Sequence, residues 1–201
     1  MAQRTPTRTL LLDAAADAVL AGEWSRTRMA DVARAAGVSR QTLYYEFGSK
    51  DGLAQALALR EAERYVDGAD AARAGHDTSP AEALRASVEY TLREAADNPL
   101  LKAVLTDSSV EGGGGLLPYL TSRAEQLHDV ATRRTAAQLL AQWPRLLADD
   151  VRLVADVVTR LTISHLLLPG GRPEQVADDV ARLVARVLPL PPDPAAPQER
   201  A

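Results

Sequence analysis

Several residue types that support common protein chemistries are absent or scarce in this sequence of 201 residues. There is no cysteine, which excludes a disulfide scaffold, a thiolate metal site and a cysteine nucleophile. Aromatic residues make up only 4% of the chain, and valine and isoleucine do not cluster in alternating runs, so a β-sheet architecture is disfavoured. No run of about 18 apolar residues occurs, which argues against a membrane-spanning helix. We therefore expect a cytoplasmic protein with no membrane segment.

The apolar residues recur with the period of an α-helix along almost the whole chain. They make up 46% of the sequence and include abundant alanine, a combination that favours an all-α protein with a substantial core. Capping residues mark the helix starts, such as the Ser79-Pro80-Ala81-Glu82 capping box and Asp149 at the eighth helix. The predicted helices cover about 7–21, 28–36, 40–47, 50–74, 80–97, 99–109, 118–142, 149–168 and 173–188. The segment 189–201 contains five prolines and is predicted to be a disordered tail.

Charge is distributed unevenly along the chain. The net charge is −4, but residues 1–50 carry +2 and the remaining 151 residues carry −6. A mildly basic N-terminal segment followed by an acidic remainder is typical of a small anion-binding module attached to a separate domain. The first 50 residues are therefore the place to look for such a module.

The segment from Thr27 to Lys50 has the pattern of a helix-turn-helix. Two short predicted helices are joined by Ala36-Gly37-Val38-Ser39, in which the glycine permits a positive φ and the valine can plug the angle between the helices. Ser39 is a suitable N-cap for the second helix, whose free N–H groups and positive dipole end can face a phosphate.

The side chains of that second helix divide into an open face and a buried face. Arg40, Gln41 and Thr42 lie in its first turn, where they can reach base edges in the major groove of DNA. Leu43 and Phe47, four residues apart, are expected to face the core. The alternative interpretation of this segment alone is a compact helical hairpin whose polar groups are simply solvated.

This segment and its surroundings resemble the DNA-binding region of the TetR family of bacterial repressors. The matching residues are Asp31-Val32-Ala33, Ala36-Gly37-Val38-Ser39, Thr42-Leu43-Tyr44, Phe47, Ser49-Lys50 and Leu53. The resemblance implies a nine-helix, TetR-like fold, with an N-terminal three-helix DNA-binding domain over 1–50 and a C-terminal ligand-binding and dimerisation domain over 51–188. It also implies roles: DNA bases and backbone would be read by Ser39, Arg40, Gln41, Thr42 and Tyr45, and phosphates would be anchored by Tyr44 and Lys50.

Two positions depart from the pattern of that family. Arg28 stands where the family often has a serine or threonine that caps the helix and contacts phosphate; arginine can still bind phosphate, and Thr27 can supply the cap one residue earlier. Glu46 stands where histidine or tyrosine is frequent, and we expect its carboxylate to face away from DNA because a phosphate would repel it. The stretch from Leu43 to Leu53 is also similar to a subgroup encoded near alkane-oxidising monooxygenase genes.

The rest of the chain carries no recognisable catalytic constellation. Its three histidines, His76, His128 and His165, fall on different predicted elements without the spacing of metal ligands. The four glycines at 112–115 lack the Lys-Ser/Thr pair that completes a phosphate-binding loop. We therefore expect no metal, no cofactor and no enzymatic activity.

The fifth to seventh predicted helices carry more apolar surface than a thin helical bundle requires. One interpretation is an ordinary close-packed core. The family resemblance instead implies a mostly apolar cavity for an inducer, such as an alkyl or fatty-acyl molecule, whose head group Arg123, His128 or His165 would orient. The residues predicted to bind this ligand are Leu84, Val88, Leu92, Leu105, Leu120, Arg123, Leu127, Trp143 and His165.

The eighth and ninth predicted helices are apolar on more than one side. Because the second apolar side must be buried somewhere, these helices are predicted to form a self-complementary four-helix interface between two copies of the chain. The alternative is that other helices of the same chain cover both sides. The residues predicted for the dimer interface are Val154, Val158, Leu161, Val180, Leu183 and Val187.

These features predict a homodimeric, ligand-responsive transcriptional regulator, and more narrowly a repressor that an apolar small molecule releases from a palindromic operator in double-stranded DNA. One rival hypothesis is a helical small-molecule carrier or enzyme that uses the apolar cavity directly, which the missing catalytic groups disfavour. A second rival is a dimeric structural adaptor with a vestigial helix-turn-helix, which DNA binding would refute.

Overall fold

The computed structural model describes residues 6–106 and 125–189, and this part of the chain consists of α-helices without any β-strand. Within it we number nine helices in chain order. They are α1 Thr7–Leu20, α2 Met29–Ala35, α3 Arg40–Phe47, α4 Lys50–Ala74, α5 Pro80–Asp97, α6 Pro99–Thr106, α7 Glu125–Gln142, α8 Ala148–Leu167 and α9 Pro173–Val187. The predicted all-α class is confirmed. None of the described helices is both long enough and apolar enough to pass through a membrane.

The starts of α5 and α6 follow the capping pattern of the sequence. Ser79 Oγ accepts a hydrogen bond from the Glu82 N–H at 3.2 Å, and Pro80 is the first residue of α5. Asn98 Oδ1 accepts hydrogen bonds from the N–H groups of Leu100 and Leu101, at 2.8 and 3.1 Å. In both helices a side-chain oxygen satisfies N–H groups that have no partner within the helix.

The start of α8 differs from the prediction that Asp149 caps it. Leu147 occupies the N-cap position and α8 begins at Ala148, so Asp149 lies in the first helical turn. There its carboxylate pairs with Arg152 at 2.9 Å and lies near the positive end of the helix dipole. The prediction was wrong because an apolar residue such as Leu147 gives no capping signal in the sequence.

The described residues divide into two compact units, the first of which comprises those of Met1–Arg64 and Glu94–Leu127. Its core combines α1, α2, α3, the beginning of α4, and α6, which packs against α1. Because Leu53 and Leu57 of α4 fill this core, the packing unit continues past residue 50, the predicted domain boundary. The buried members are Leu11, Leu12, Ala15, Val19, Trp24, Met29, Val32, Ala33, Leu43, Leu53, Ala54, Leu57, Leu100 and Val104.

The second unit comprises the described residues of Tyr65–Arg93 and His128–Ala201. Its core brings together the apolar faces of α5, α7, α8 and α9. The largest buried members are Leu84, Val88, Leu92, Leu139, Leu146, Val151, Val154, Val158, Val176, Val180, Val184 and Leu188. Residues that the sequence assigns to a ligand site and to a dimer interface therefore share one core.

The second unit also encloses a cation on α4. Arg73 is only 3% exposed, and burial lowers the pKa of its guanidinium although the Asp70 charge opposes the shift. Its Nε donates to Gln138 Oε1 at 2.8 Å, and the Asp70 carboxylate pairs with it. Gln138 donates in turn to the Asp70 backbone carbonyl at 3.0 Å, so partners from α4 and α7 compensate the buried charge.

Some predicted features lie outside the described residues. They are the glycine run at 112–115, the predicted ligand-binding residues Leu120 and Arg123, and the predicted tail beyond Pro189. The side chain of Leu105, a third predicted ligand-binding residue, is also outside the description although its backbone belongs to α6.

Candidate functional site

The connection between α2 and α3 is a tight turn closed by backbone hydrogen bonds. Gly37 has a φ of +67°, a conformation that residues with a Cβ rarely adopt. The Gly37 N–H donates to the Arg34 carbonyl at 3.1 Å, and the Val38 N–H donates to the Ala33 carbonyl at 3.0 Å. Val38 packs against the core of the first unit, as its predicted role as a plug requires. The turn therefore holds the start of α3 at a defined angle to α2.

The first turn of α3 is capped by Ser39. Its Oγ accepts a hydrogen bond from the Thr42 N–H at 3.1 Å, which confirms the predicted cap. The hydroxyl groups of Ser39 and Thr42 also lie 2.8 Å apart and share a hydrogen bond. Thr42 is half-buried, and its hydroxyl already shares this hydrogen bond with the cap.

The remaining side chains of α3 separate into the two predicted faces. Leu43 is completely buried and Phe47 packs against the same core. On the opposite side Arg40 and Gln41 are exposed, and Tyr45 is 88% exposed. Tyr44 is exposed as well, so α3 presents Arg40, Gln41 and two tyrosine side chains to solvent from a capped helix.

The start of α2 is organised differently from the prediction. Asp31 Oδ2 accepts a hydrogen bond from the Arg28 N–H at 3.1 Å, and Oδ1 lies 2.6 Å from the Arg34 guanidinium. The backbone hydrogen bond with Arg28, followed by the Arg34 contact, lowers the pKa of Asp31. Thr27 does not supply the cap, because its hydroxyl donates to the Glu23 carbonyl at 2.9 Å. The Asp31 carboxylate therefore satisfies the N–H of the N-cap residue Arg28, and no N-cap side chain accepts a hydrogen bond from the first turn of α2.

Lys50, predicted as a phosphate anchor, is engaged within the protein. Its Nζ donates to the carbonyl oxygens of Trp24 and Ser25 at 2.5 and 3.2 Å, and it lies 4.9 Å from the centroid of the Trp24 ring. Burial lowers the pKa of this half-buried amine. Lys50 consequently ties the start of α4 to the loop before α2, and at most one of its three N–H donors remains for a phosphate.

The charged side chains of α3 and its neighbours include one compensated carboxylate and two arginines without an ion pair. Glu46 lies 3.8 Å from the Arg8 guanidinium, which also stacks over the Phe47 ring at 4.8 Å, so the carboxylate is compensated inside the protein. Within the part of the chain that the structure describes, the guanidinium groups of Arg28 and Arg40 form no ion pair, and both residues are exposed. Exposed, unpaired guanidinium groups beside a capped helix suit binding of a phosphate backbone.

The predicted ligand-binding residues do not form one group. Leu84, Val88 and Leu92 of α5 lie in the core of the second unit, and Trp143 packs against that core. His165 instead lines an open groove between α8 and α9, together with Leu161 and Leu183, with a volume of about 820 Å³. Leu127 is half-buried.

Half of the predicted dimer-interface residues point into the protein itself. Val154, Val158 and Val180 are buried among α5, α7, α8 and α9, so residues of the same chain already cover them, and their assignment to the interface stays a prediction. The sequence pattern cannot separate the two apolar sides of α8, because both recur with helical spacing. The large apolar residues that are exposed on α8, α9 and their flanks are Leu147, Leu153, Leu168, Leu183 and Val187, and Leu161 is half-buried.

Sequence reasoning named His128 as a residue that could orient a ligand head group, but it missed the polar neighbours of His128 in the second unit. His128 of α7 lies 3.1 Å from Asp156 of α8, and Thr132 follows His128 by one helical turn. The four-residue spacing of His128 and Thr132 was a signal in the sequence that indicates the pair.

Within residues 6–106 and 125–189, histidine, aspartate and glutamate side chains form no group of three or more that could hold a metal ion.

A helix-turn-helix with exposed donors, joined to a helical body with a separate core, defines a DNA-binding regulator of transcription. Two family models match the corresponding parts of the chain. The one described as "Bacterial regulatory proteins, tetR family" matches residues 11–57, and the one described as "Bacterial Tetracyclin repressor, C-terminal domain" matches residues 80–186.

Individual proteins are similar over most of the chain. The HTH-type transcriptional regulator AlkX of Mycobacterium tuberculosis is 35% identical over 91% of this chain and 85% of its own length. The crystal structure of the TetR-family repressor AlkX from a Dietzia strain, implicated in biodegradation of n-alkanes, is 33% identical, with a TM-score of 0.74 over 92% of this chain and 96% of that one. The repressor QsdR of R. erythropolis, 20% identical, shares the fold with a TM-score of 0.60 over 93% of this chain and 96% of its own.

The chain therefore belongs to the TetR family of bacterial transcriptional regulators. It is a ligand-responsive DNA-binding regulator, and dimerisation is typical of this family. The relatives are named as regulators, and none of these similarities favours the alternative of a carrier or enzyme.

Proposed function

We propose that this protein is a repressor that binds a palindromic operator as a homodimer and is released from it by an apolar small molecule. The observation that carries the proposal is the capped helix α3, whose exposed Arg40, Gln41 and Tyr45 stand opposite a fully buried Leu43. A rigid helix with donors on one face is the element that enters the major groove in helix-turn-helix proteins. A two-fold symmetric pair of such helices requires half-sites that mirror each other about one or more helical turns apart.

The proposed contacts separate into base readout and backbone anchoring. Arg40, Gln41, Thr42 and Tyr45 read base edges, with Ser39 at the helix start beside the backbone. Backbone contacts come from Tyr44, the guanidinium of Arg28 and the free donor of Lys50, with Thr27 beside them. The absence of an ion pair at Arg28 within the described residues supports its assignment to phosphate.

The proposed inducer is a molecule with an alkyl or fatty-acyl chain. The apolar α5 residues Leu84, Val88 and Leu92 support this chemistry, and so does the similarity to the Dietzia repressor implicated in n-alkane biodegradation. Burial of an apolar chain stabilises a complex by about 25 cal/mol per Å² before entropic costs. Because release requires unequal affinity for the DNA-bound and free states, we propose that the inducer prefers the free state. We also propose that the protein acts in the cytoplasm and catalyses no reaction.

The DNA part of the proposal is tested by comparing two substitutions on duplexes selected from a random pool. Gln41→Ala is expected to lose about 1–3 kcal/mol on the selected operator and little on random DNA, because it removes a base contact. Arg28→Ala is expected to weaken both alike and to lower the slope of log affinity against log salt by about one unit, because it removes a phosphate contact. Fluorescence anisotropy at several salt concentrations measures both.

Arg133→Ala is the matched control, since Arg133 is an exposed arginine on α7 and does not belong to the helix-turn-helix. It removes one positive charge and is expected to change neither affinity nor the salt slope by a measurable amount. If Gln41→Ala weakens operator and random DNA equally, the assignment of α3 as the recognition helix is wrong even though the protein binds DNA.

A further inference from the structure

The charged residues of α9 divide between two sides of the helix. On one side Glu174 pairs with Arg93 of α5 at 2.6 Å, and Asp178 pairs with Arg85 of α5 at the same distance. These two carboxylates are compensated within the second unit, where they tie α9 to α5. Within the part of the chain that the structure describes, the charges on the other side of α9 have no ion-pair partner on another helix.

That other side of α9 combines exposed apolar residues with charges of both signs. Leu183 and Val187 are exposed, and they line an open groove of about 570 Å³ together with Asp179, Arg182 and Arg186. Asp179, Leu183 and Arg186 follow one another at spacings of four and three residues, so they share one face of the helix. Large apolar side chains bordered by charges at an open surface are typical of a protein interface.

The charges on this face are not used up within one chain. Asp179 pairs with Arg182 of the same helix, and both side chains are mostly exposed. An ionised carboxylate has room for a second donor besides that arginine. Arg186 is exposed and forms no ion pair with any residue that the structure describes. The face therefore carries an anion with spare acceptor capacity and an unpaired cation, two helical turns apart.

The order of these charges distinguishes two ways of pairing α9 with an identical helix. In a parallel pair each residue faces its own counterpart, so Asp179 meets Asp179 and Arg186 meets Arg186. In an antiparallel pair centred near Leu183, Asp179 of one copy lies beside Arg186 of the other, and two-fold symmetry repeats this contact at the opposite end. Because facing like charges cost free energy, the antiparallel pair is favoured.

Building on the proposed function, which requires a homodimer, we infer that α9 pairs in antiparallel orientation with α9 of a second copy and that Asp179 and Arg186 select that copy. Leu183 and Val187 supply the apolar contact. The charge pairs contribute little affinity at an exposed rim, but a helix with a different order of charges would bring like charges together. The partner is therefore a second copy of this chain, and a related regulator without these charges is excluded.

The experiment reverses one charge of each contact and then combines the two variants. Asp179→Arg and Arg186→Asp each bring like charges together at both ends of the pair. Each variant alone is expected to raise the dimer dissociation constant at least about tenfold at low salt, as measured by sedimentation.

Mixing the two variants should restore association. One chain then carries two positive charges at positions 179 and 186 and the other carries two negative charges, so both contacts again join opposite charges. The mixed dimer is expected to have a dissociation constant within about threefold of the wild type, because the charge pairs are the same with their order exchanged. An affinity tag on one variant captures the untagged one and identifies the mixed dimer.

The double variant Asp179→Arg/Arg186→Asp separates partner selection from local effects on the helix. It contains both changes, yet it should form a dimer with itself and fail to exchange chains with the wild type. Arg133→Asp is the matched control, since it reverses an exposed arginine on α7 and should exchange freely with the wild type. Unchanged helical circular dichroism verifies that each variant is folded.

The outcomes separate this inference from the proposed function. Single variants that dimerise like the wild type, or a mixture that associates no better than either variant alone, would overturn the inference. Tighter association of the single variants would indicate a parallel pair and overturn it too. A monomeric wild type would leave this face to a different occupant and contradict the proposed homodimer as well. A dimer that follows the charge order but binds no operator duplex would contradict only the proposed function.

Discussion

The charge of Asp31 stabilises the start of α2. Its carboxylate accepts the Arg28 N–H and pairs with Arg34, and these contacts lower its pKa from an ordinary value of 3.8. Because the folded-state pKa lies below the unfolded one, the stabilisation is fully present above the unfolded pKa and is lost as pH falls through the folded pKa. Asp31→Ala is therefore expected to lower the free energy of unfolding at pH 7. The difference from the wild type should shrink below about pH 4, as measured by urea unfolding across that range.

Asp77→Ala serves as the control for this prediction, since Asp77 is exposed in the loop between α4 and α5. It should leave the free energy of unfolding nearly unchanged at every pH. A deficit of Asp31→Ala that stays constant from pH 7 to pH 3 would show that the carboxylate acts through packing and not through its charge.

Residue roles were predictable from the sequence where the partner is close along the chain. The Ser39 cap depends on an N–H three residues away, so the local pattern was sufficient. The hydrogen bonds of Lys50 with Trp24 and Ser25 join positions about 25 residues apart, and no local pattern indicates them. Thr27 failed as a predicted cap for a different reason: although its partner is local, the hydroxyl donates to a competing acceptor in the preceding turn, the Glu23 carbonyl.

At the scale of helices, α4 and α5 approach closely at Gly68. A Cβ atom placed on Gly68 would collide with the ring and hydroxyl of Tyr90. Gly68→Ala is therefore expected to lower the free energy of unfolding by about 1–3 kcal/mol, the usual cost of overpacking, although alanine favours a helix more than glycine does. Thermal or urea unfolding measures the loss. The double variant Gly68→Ala/Tyr90→Leu should recover most of it, because the smaller side chain leaves room for the methyl group.

Gly75→Ala provides the comparison, because a Cβ there meets only the Ala72 carbonyl at 3.6 Å, an ordinary contact. Stability close to the wild type is expected for it. If Gly68→Ala were as stable as Gly75→Ala, the close approach of Tyr90 would not constrain this pair of helices.

Helix bounds were predictable because their signals are local, whereas helix partners were not. The observed ends of α1, α3 and α4 fall within one residue of the predicted ones. The packing of α6 on α1 joins segments about 90 residues apart, and periodicity contains no information about which helices meet. The same lack of information affects the assignment of Val154, Val158 and Val180 to an interface, since a helix that is apolar on two sides does not reveal which side its own chain covers.

For the whole molecule, the remaining apolar surface of α8 and α9 lies beside two open grooves. One groove is lined by Leu161, His165 and Leu183, among others, and the second by Leu183 and Val187 together with Arg182 and Arg186. Exposed apolar residues flanked by charged ones suit a self-complementary contact between two copies of the chain. We propose that Leu161, Leu183 and Val187, and not the buried valines, form the centre of the dimer interface that a palindromic operator requires.

Leu183→Arg and Val158→Arg separate an interface from a core. Leu183 is 40% exposed, so an arginine there keeps its charge in water within one chain and becomes buried and unpaired only when two copies meet. It should convert the dimer into a folded monomer, seen as a halved mass in sedimentation with unchanged helical circular dichroism. Val158 is 4% exposed, so the same change should unfold the chain itself. Leu147→Arg, at an exposed position before α8, should leave a dimer. A Leu183→Arg variant that remains dimeric would refute the proposed interface. A wild type that sediments as a monomer at micromolar concentration would refute both the interface and palindromic recognition.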